Sequence, residues 1–98
     1  MYDYKKVLPI GTVVLLKNAD KRLMILGYQR SSASDPNRIY DYCGCTYPEG
    51  FISPEKTAIF DHDDIERIFY VGFQNSEHSK LAEQIRALVA KRAGESAQ

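Results

Sequence analysis

The chain has 98 residues, with thirteen basic and thirteen acidic side chains, so its formal net charge is zero. This length allows one domain, and a neutral domain lacks the positive surplus of a general nucleic-acid-binding or membrane-surface protein. Apolar runs such as Val13–Leu16 are far shorter than the ~20 residues of a membrane span. The chain also starts without the apolar segment of a secretory signal, so we expect a single-domain cytoplasmic protein over residues 1–98.

The first half of the chain predicts an N-terminal arm followed by three strands. Runs rich in apolar and β-branched residues indicate the strands, and clusters of Asn, Asp, Ser and Pro indicate the turns between them. The expected ranges are an arm at 1–9, strands at 10–17, 22–28 and 38–45, a turn at 18–20 and a loop at 29–37. The first two strands are therefore expected to form a hairpin.

The second half of the chain predicts two more strands and one helix. The expected ranges are strands at 57–60 and 65–73, a tight turn at 61–64 capped by Asp61, a helix at 75–92 and a frayed tail at 93–98. Four apolar residues recur at helical spacing and are expected to form the buried stripe of the helix: Leu81, Ile85, Leu88 and Val89. Gly94 is expected to end the helix.

The strands do not alternate between apolar and polar residues. Val13 and Leu15 point to one face of the first strand, and Val14 and Leu16 point to the other. Both faces of the sheet therefore need cover, which one short helix cannot supply. Either the sheet curls on itself or a partner covers the remaining surface. We expect an α+β domain, with a curled, half-barrel-like antiparallel sheet of about five strands at residues 10–73 and one C-terminal helix.

Two groups of residues could carry chemistry, and for each the structural interpretation is favoured. Cys43 and Cys45 could supply half of a zinc site, but no second Cys or Cys/His pair completes it. We therefore expect inert thiols, no metal, no cofactor, and no stoichiometric zinc in purified protein. The run Asp61-His62-Asp63-Asp64 lacks the glycine and distal glutamate of a calcium loop, which favours a solvated turn. No nucleophile motif is present, so an enzyme built around Asp61, His62 and the cysteines is the least favoured alternative.

Four aromatic residues surround the third strand and the turn after it: Tyr40, Tyr42, Tyr47 and Phe51. Aromatic side chains with a polar tip are favoured at interfaces, so these four are the candidate partner-binding residues. Two alternatives stay open. The four could be core packing at the rim of the sheet, or they could line the groove of a small-barrel peptide- or RNA-binding module.

Three blocks of the sequence resemble the family called domain of unknown function 4176, over about residues 7–90. The blocks are LPIGTVVLLK with KRLMILG at residues 8–27, YDYCGCTYPEG at 40–50, and FDHDDI at 60–65 followed by Gly72-Phe73. The central block is the most specific of the three. It contains three of the four candidate aromatic residues.

The resemblance implies a small cytoplasmic protein of Gram-positive bacteria. Proteins that look like this are often encoded beside type VII secretion components and toxins with an LXG-type N-terminal domain. The implied role is a non-enzymatic adaptor or chaperone that binds the helical targeting domain of such a toxin. The resemblance carries over no catalytic residue, and it implies neither a nucleic-acid nor a membrane partner.

Overall fold

One antiparallel sheet and one helix make up the domain. The computed structural model describes residues 7–96, with side chains described as far as residue 94. The elements are β1 (Val13–Leu16), β2 (Leu23–Ser32), β3 (Asp35–Thr46), β4 (Thr57–Phe60), β5 (Ile65–Tyr70) and α1 (Ser76–Ser96). The strand order is β4-β3-β2-β1-β5, so the sheet is open, with β4 and β5 at its edges. The expected α+β class, with a curled sheet and a C-terminal helix, is confirmed.

The β2–β3 hairpin is longer than the sequence predicts. The expected loop at 29–37 is mostly strand, because β2 continues to Ser32 and β3 begins at Asp35. The residues of this segment are mostly exposed to solvent, which explains their polar composition. The two strands still pair with each other through backbone hydrogen bonds. Gln29 has a φ of 56° beside a register shift of this hairpin, which bends the ladder locally.

The neighbouring strands β1 and β5 are shorter than predicted because the chain crosses itself closely at their ends. Ile10 and Gly11 form a turn, in which Gly11 has a φ of 91°. The N–H of Gly72 donates to Thr12 Oγ1 at 3.0 Å. A Cβ atom at Gly72 would lie 2.0 Å from the carbonyl oxygen of Ile10, so only glycine fits this crossing.

The main core lies on one side of the sheet, which we call the inner face. Its fully or almost fully buried side chains are Leu8, Val14, Leu23, Ile25, Tyr42 and Phe60. Of these, Tyr42 and Phe60 are direct partners on β3 and β4, with ring centroids 5.5 Å apart. Leu8 comes from the segment before β1, so this segment supplies part of the cover that the doubly apolar strands require. Of the predicted arm, residues 1–6 lie outside the described residues.

The helix α1 packs by a narrower stripe than predicted. Ala82 and Ile85 are buried against Val7, and Tyr28 and Val89 pack around them. The prediction is wrong for Leu81 and Leu88, whose side chains are 41% and 47% exposed. The reason is that α1 contacts the arm segment beside the sheet, which buries only one edge of the apolar stripe.

The helix also continues through Gly94 to Ser96, so its predicted end at residue 92 and the predicted tail at 93–96 are wrong. Residues 97 and 98 of that tail lie outside the described residues. A glycine in an exposed helix costs only about 1 kcal/mol relative to alanine and does not by itself end the helix. Within residues 7–96, no helix combines the length and the apolar character needed to cross a bilayer.

Candidate protein-binding surface

The side of the sheet opposite the main core, which we call the outer face, carries a second set of apolar residues. Val13 pairs with Met24, and Met24 pairs with Cys45, so these three side chains form one row across β1, β2 and β3. They alternate along their strands with the buried residues of the inner face. The arm segment and α1 pack toward the inner face through Leu8 and Tyr28. Val13 and Cys45 are themselves buried and Met24 is half-buried, so the apolar surface that stays open on the outer face is formed by its exposed aromatic residues.

A concave pocket of about 580 Å³, which we call the outer pocket, lies on this face. Its lining residues are Gly11, Val13, Arg22, Met24, Tyr47, Phe69 and Tyr70. They come from the turn before β1, from β1, from β2 and the residue before it, from β5, and from the turn after β3. Because β1 lies between β2 and β5, the floor of the outer pocket is the middle of three adjacent strands. A pocket of this size and apolar lining is suited to receive side chains of another molecule.

A bulge in β5 places two consecutive aromatic residues beside the outer pocket. Val13 pairs with Tyr70, whereas the next residue, Val14, pairs with Ile68, so Phe69 is an extra residue in this ladder. A bulge redirects side chains that would otherwise alternate between the two faces. This explains how Phe69 and Tyr70 both line the outer pocket. Tyr70 is 64% exposed and forms the most open part of the rim.

The rim of the outer pocket is positively charged. The guanidinium carbons of Arg22 and Arg67 lie 4.2 Å and 5.1 Å from the centre of the Phe69 ring. Each such cation–π contact at an exposed site stabilises by about 0.5–1 kcal/mol. The backbone of Arg22 also fixes the opposite rim, because its carbonyl oxygen accepts a hydrogen bond of 2.9 Å from the N–H of Tyr47. The two sides of the pocket are thus connected through one residue.

The structure separates the four aromatic residues that the sequence offers as a partner-binding set. Tyr47 lines the outer pocket and is 46% exposed, and Phe51 is 59% exposed in the loop after it, outside the lining. Tyr40 is half-buried on β3, and the guanidinium carbon of Arg38 lies 4.4 Å from the centre of its ring. Tyr42 is completely buried on the inner face. The expectation that Tyr42 contacts a partner is therefore corrected, because no part of its side chain reaches the surface.

Tyr42 instead connects three parts of the fold. Its hydroxyl oxygen accepts a hydrogen bond of 3.1 Å from the N–H of Leu8 and lies 2.8 Å from His62 Nδ1. The Tyr28 hydroxyl donates to the carbonyl oxygen of the same Leu8 at 2.5 Å. Burial raises the pKa of Tyr28 to about 12 and raises the pKa of Tyr42 further above the ordinary value. Both hydroxyls therefore stay protonated and hold the arm segment on the sheet.

The cysteines and the acidic turn do not converge. Cys45 is buried on the outer face and Cys43 is half-buried, whereas His62 contacts Tyr42 on the inner side. Burial raises the pKa of the Cys45 thiol, which disfavours the reactive thiolate. Residues 62–64 form one turn of 3-10 helix with Asp61 at its N-cap position, where the Asp61 N–H donates to Asp64 Oδ2 at 2.9 Å. Among residues 7–94, no three His, Cys, Asp or Glu side chains are placed to hold a metal ion.

The sequence alone did not single out most of the outer pocket. Arg22, Met24 and Phe69 were assigned only to strands, because their common position depends on β1 pairing with both β2 and β5. The available signal was the absence of alternation in the fifth strand, where Phe69 and Tyr70 are adjacent. Such a pair cannot share one face of a regular strand, and it therefore indicates either two covered faces or a bulge.

Comparison with known proteins places this fold in a family. The model of domain of unknown function 4176 (DUF4176) matches residues 7–81. No curated protein and no solved structure matches the chain. The matched segment contains the five strands, the whole lining of the outer pocket and the start of α1. Since this match covers more than half of the 98 residues, the chain belongs to the DUF4176 family.

Proposed function

We propose that this protein is a non-enzymatic adaptor that binds another protein on its outer face. The observation that carries the proposal is the outer pocket, an apolar concavity of about 580 Å³ with Tyr47, Phe69 and Tyr70 at its rim. Exposed apolar surface of this kind is costly for an isolated domain and is typical of interaction sites. Partly exposed aromatic residues are also the side chains that contribute most to protein–protein affinity.

The partner we propose is the helical targeting domain of an LXG-type toxin, which the adaptor would bind in the cytoplasm for type VII secretion. The resemblance of the chain to DUF4176 proteins supports this partner. The shape of the outer pocket supports a helix as the binding element. Its lining residues come in part from three adjacent strands, β2, β1 and β5, so an elongated binding element could contact several of them at once. A helix lying in an apolar groove is a recurrent mode of recognition.

The first test is co-expression of the full chain with the helical N-terminal domain of an LXG-type toxin, followed by affinity capture at low and at high salt. We expect the toxin domain to co-purify at both salt concentrations, because an apolar contact is weakly screened. Failure at both concentrations would remove this toxin as a partner. Capture at low salt only would keep the partner and contradict an apolar contact.

A pair of variants locates the contact on the surface of the adaptor. Tyr70→Ala removes an exposed aromatic ring from the outer pocket, and Phe51→Ala removes one from outside it. Tyr70→Ala is expected to weaken capture about tenfold or more, as truncation of a buried interface aromatic typically does. Phe51→Ala should retain capture. Equal capture by both variants, with folding verified by circular dichroism, would place the contact elsewhere.

The small-barrel alternative has less support from this fold than the adaptor has. It needs Tyr40, Tyr42 and Phe51 on one accessible groove, and Tyr42 is completely buried. The sheet is also open at β4 and β5. The adaptor therefore remains our proposed function.

A further inference from the structure

Two arginines at the rim of the outer pocket lie close to the ring of Phe69. The guanidinium carbons of Arg22 and Arg67 lie 4.2 Å and 5.1 Å from the centre of its ring. A guanidinium that stacks on a ring uses its flat face, so the N–H groups along its edge remain available. These groups suit a planar carboxylate, which accepts two parallel hydrogen bonds from one arginine.

Among the described residues, neither Arg22 nor Arg67 forms an ion pair with a carboxylate. The neighbouring cation, Lys21, is neutralised by Glu49, with Nζ and Oε2 2.9 Å apart. At the rim of the outer pocket, the two arginines on Phe69 are therefore the cations that pair with no carboxylate of the described residues. A local charge on a chain of zero net charge complements one acidic residue better than it complements a polyanion.

We propose that the outer pocket binds an amphipathic helix in which an aspartate or glutamate stands beside the apolar stripe. The apolar side chains enter the pocket over Val13 and Met24. The carboxylate lies at the rim, where Arg22 and Arg67 donate to it. This inference rests on the proposed adaptor function and specifies the chemistry of the partner.

The test uses a displayed library of randomised amphipathic helices, selected on the immobilised full chain. The selected helices should be enriched in aspartate or glutamate beside the apolar stripe. One selected peptide is then synthesised in two forms, with the acidic residue intact or replaced by glutamine. The dissociation constants of both forms are measured on the parent chain and on the double variant Arg22→Gln/Arg67→Gln.

The acidic peptide is expected to bind the double variant about tenfold more weakly than the parent chain, whereas the glutamine peptide should lose little further affinity. Arg30→Gln is the matched control, because Arg30 is an exposed arginine outside the pocket. It should leave both affinities unchanged. This pattern would identify the two arginines as the group that selects the acidic residue.

Four results would overturn the inference, three from helix binding and one from RNA binding. The first is selection of helices without enrichment in acidic residues, and the second is equal affinity of the acidic peptide for the parent chain and the double variant. The third is a selection on the parent chain that enriches helices no more than the same selection on Tyr70→Ala. Binding of single-stranded RNA that the double variant loses equally would also overturn it, by assigning the arginines to nucleic acid. Failure to capture the toxin domain, with acidic selectivity retained, would refute the toxin as partner and leave this inference intact. Capture of the toxin that does not depend on the arginines would refute only this inference.

Discussion

At the scale of single residues, burial decides the role of each aromatic side chain. Tyr42 and Tyr47 lie five positions apart in the same sequence block, yet Tyr42 is fully buried and Tyr47 is 46% exposed. Residue 42 lies on the inner face, where Phe60 and Leu8 enclose its ring. Tyr47 follows the end of β3 and lies at the rim of the outer pocket. The residue type is therefore the same in both cases, and the position in the fold decides whether the tyrosine packs in the core or faces solvent.

Gly72 is the residue at which a single methyl group is expected to be most disruptive. A Cβ atom there would lie 2.0 Å from the Ile10 carbonyl oxygen and 3.1 Å from the Thr12 nitrogen, both rigid backbone atoms. We expect Gly72→Ala to lower the free energy of unfolding by about 3 kcal/mol or more, measured by urea denaturation. Gly94→Ala is the control, because a Cβ atom at Gly94 meets no atom within 4 Å. It should gain up to about 1 kcal/mol from helix propensity. A Gly72→Ala variant as stable as the parent would contradict the close crossing.

At the scale of elements, α1 is attached to the sheet by a small contact area. Its buried residues are Ala82 and Ile85, and its C-terminal half lies beside a gap of about 180 Å³ lined by Val7, Val89 and Ala93 among others. Farther along, a hydrogen bond from Arg92 to the side-chain oxygen of Gln29 connects the helix to β2. The helix therefore depends on a few side chains for its position, and it is expected to detach before the sheet unfolds.

Ile85→Ala and Leu88→Ala, both on α1, should differ clearly in their effect on the free energy of unfolding. Ile85→Ala is expected to cost about 2 kcal/mol, because the side chain is 9% exposed and packs against Val7. Leu88→Ala should change the stability by no more than about 0.5 kcal/mol, since its side chain is 47% exposed. Thermal unfolding gives both values, and amide hydrogen exchange reports whether α1 opens first. Equal losses in the two variants would show that the whole predicted stripe is buried in solution.

At the scale of the whole molecule, the two apolar faces of the sheet differ in how they are covered. The inner face is closed by Leu8 and its neighbours, so it supplies the stability of the domain. The outer face keeps a pocket lined in part by Val13 and Met24, and we propose that this pocket binds the partner. Curling of the sheet and cover by a partner were open alternatives from the sequence. The structure shows the curled sheet, and the partner remains our proposal.

The buried tyrosines predict how the stability of the whole domain changes at alkaline pH. Burial raises the pKa of Tyr28 to about 12 and that of Tyr42 still higher, from an ordinary value of 10.0. Below pH 10 the folded and unfolded states both keep these protons. Above pH 10 the unfolded state loses them and the folded state does not, so the free energy of unfolding falls as the pH rises through 10 toward 12.

Urea midpoints near pH 9 and pH 11 measure this decline. Tyr28→Phe removes one of the two groups and should therefore make the decline shallower. An identical midpoint at both pH values would contradict the raised pKa values. A decline of unchanged steepness in Tyr28→Phe would assign it to other groups.

The sequence by itself determined the class of the fold and most of its elements. The range predicted for β4, 57–60, matches the structure, and the capped turn at 61–64 and the C-terminal helix are present where apolar spacing and cap residues indicate them. These features depend on neighbours within a few positions along the chain, which is the range over which periodicity and capping act. The family resemblance was confirmed for the same reason, because it rests on contiguous blocks.

Only the tertiary structure decided which residues line the outer pocket. The pairing of β1 with β5 brings Val13 beside Tyr70, 57 positions later in the chain, and the bulge at Phe69 then turns two aromatic residues toward one pocket. The same long-range packing buried Tyr42 and left Leu81 and Leu88 exposed. Local pattern fixes how a strand or helix alternates its faces. What lies against each face depends on contacts between distant segments, which no single stretch of this sequence encodes.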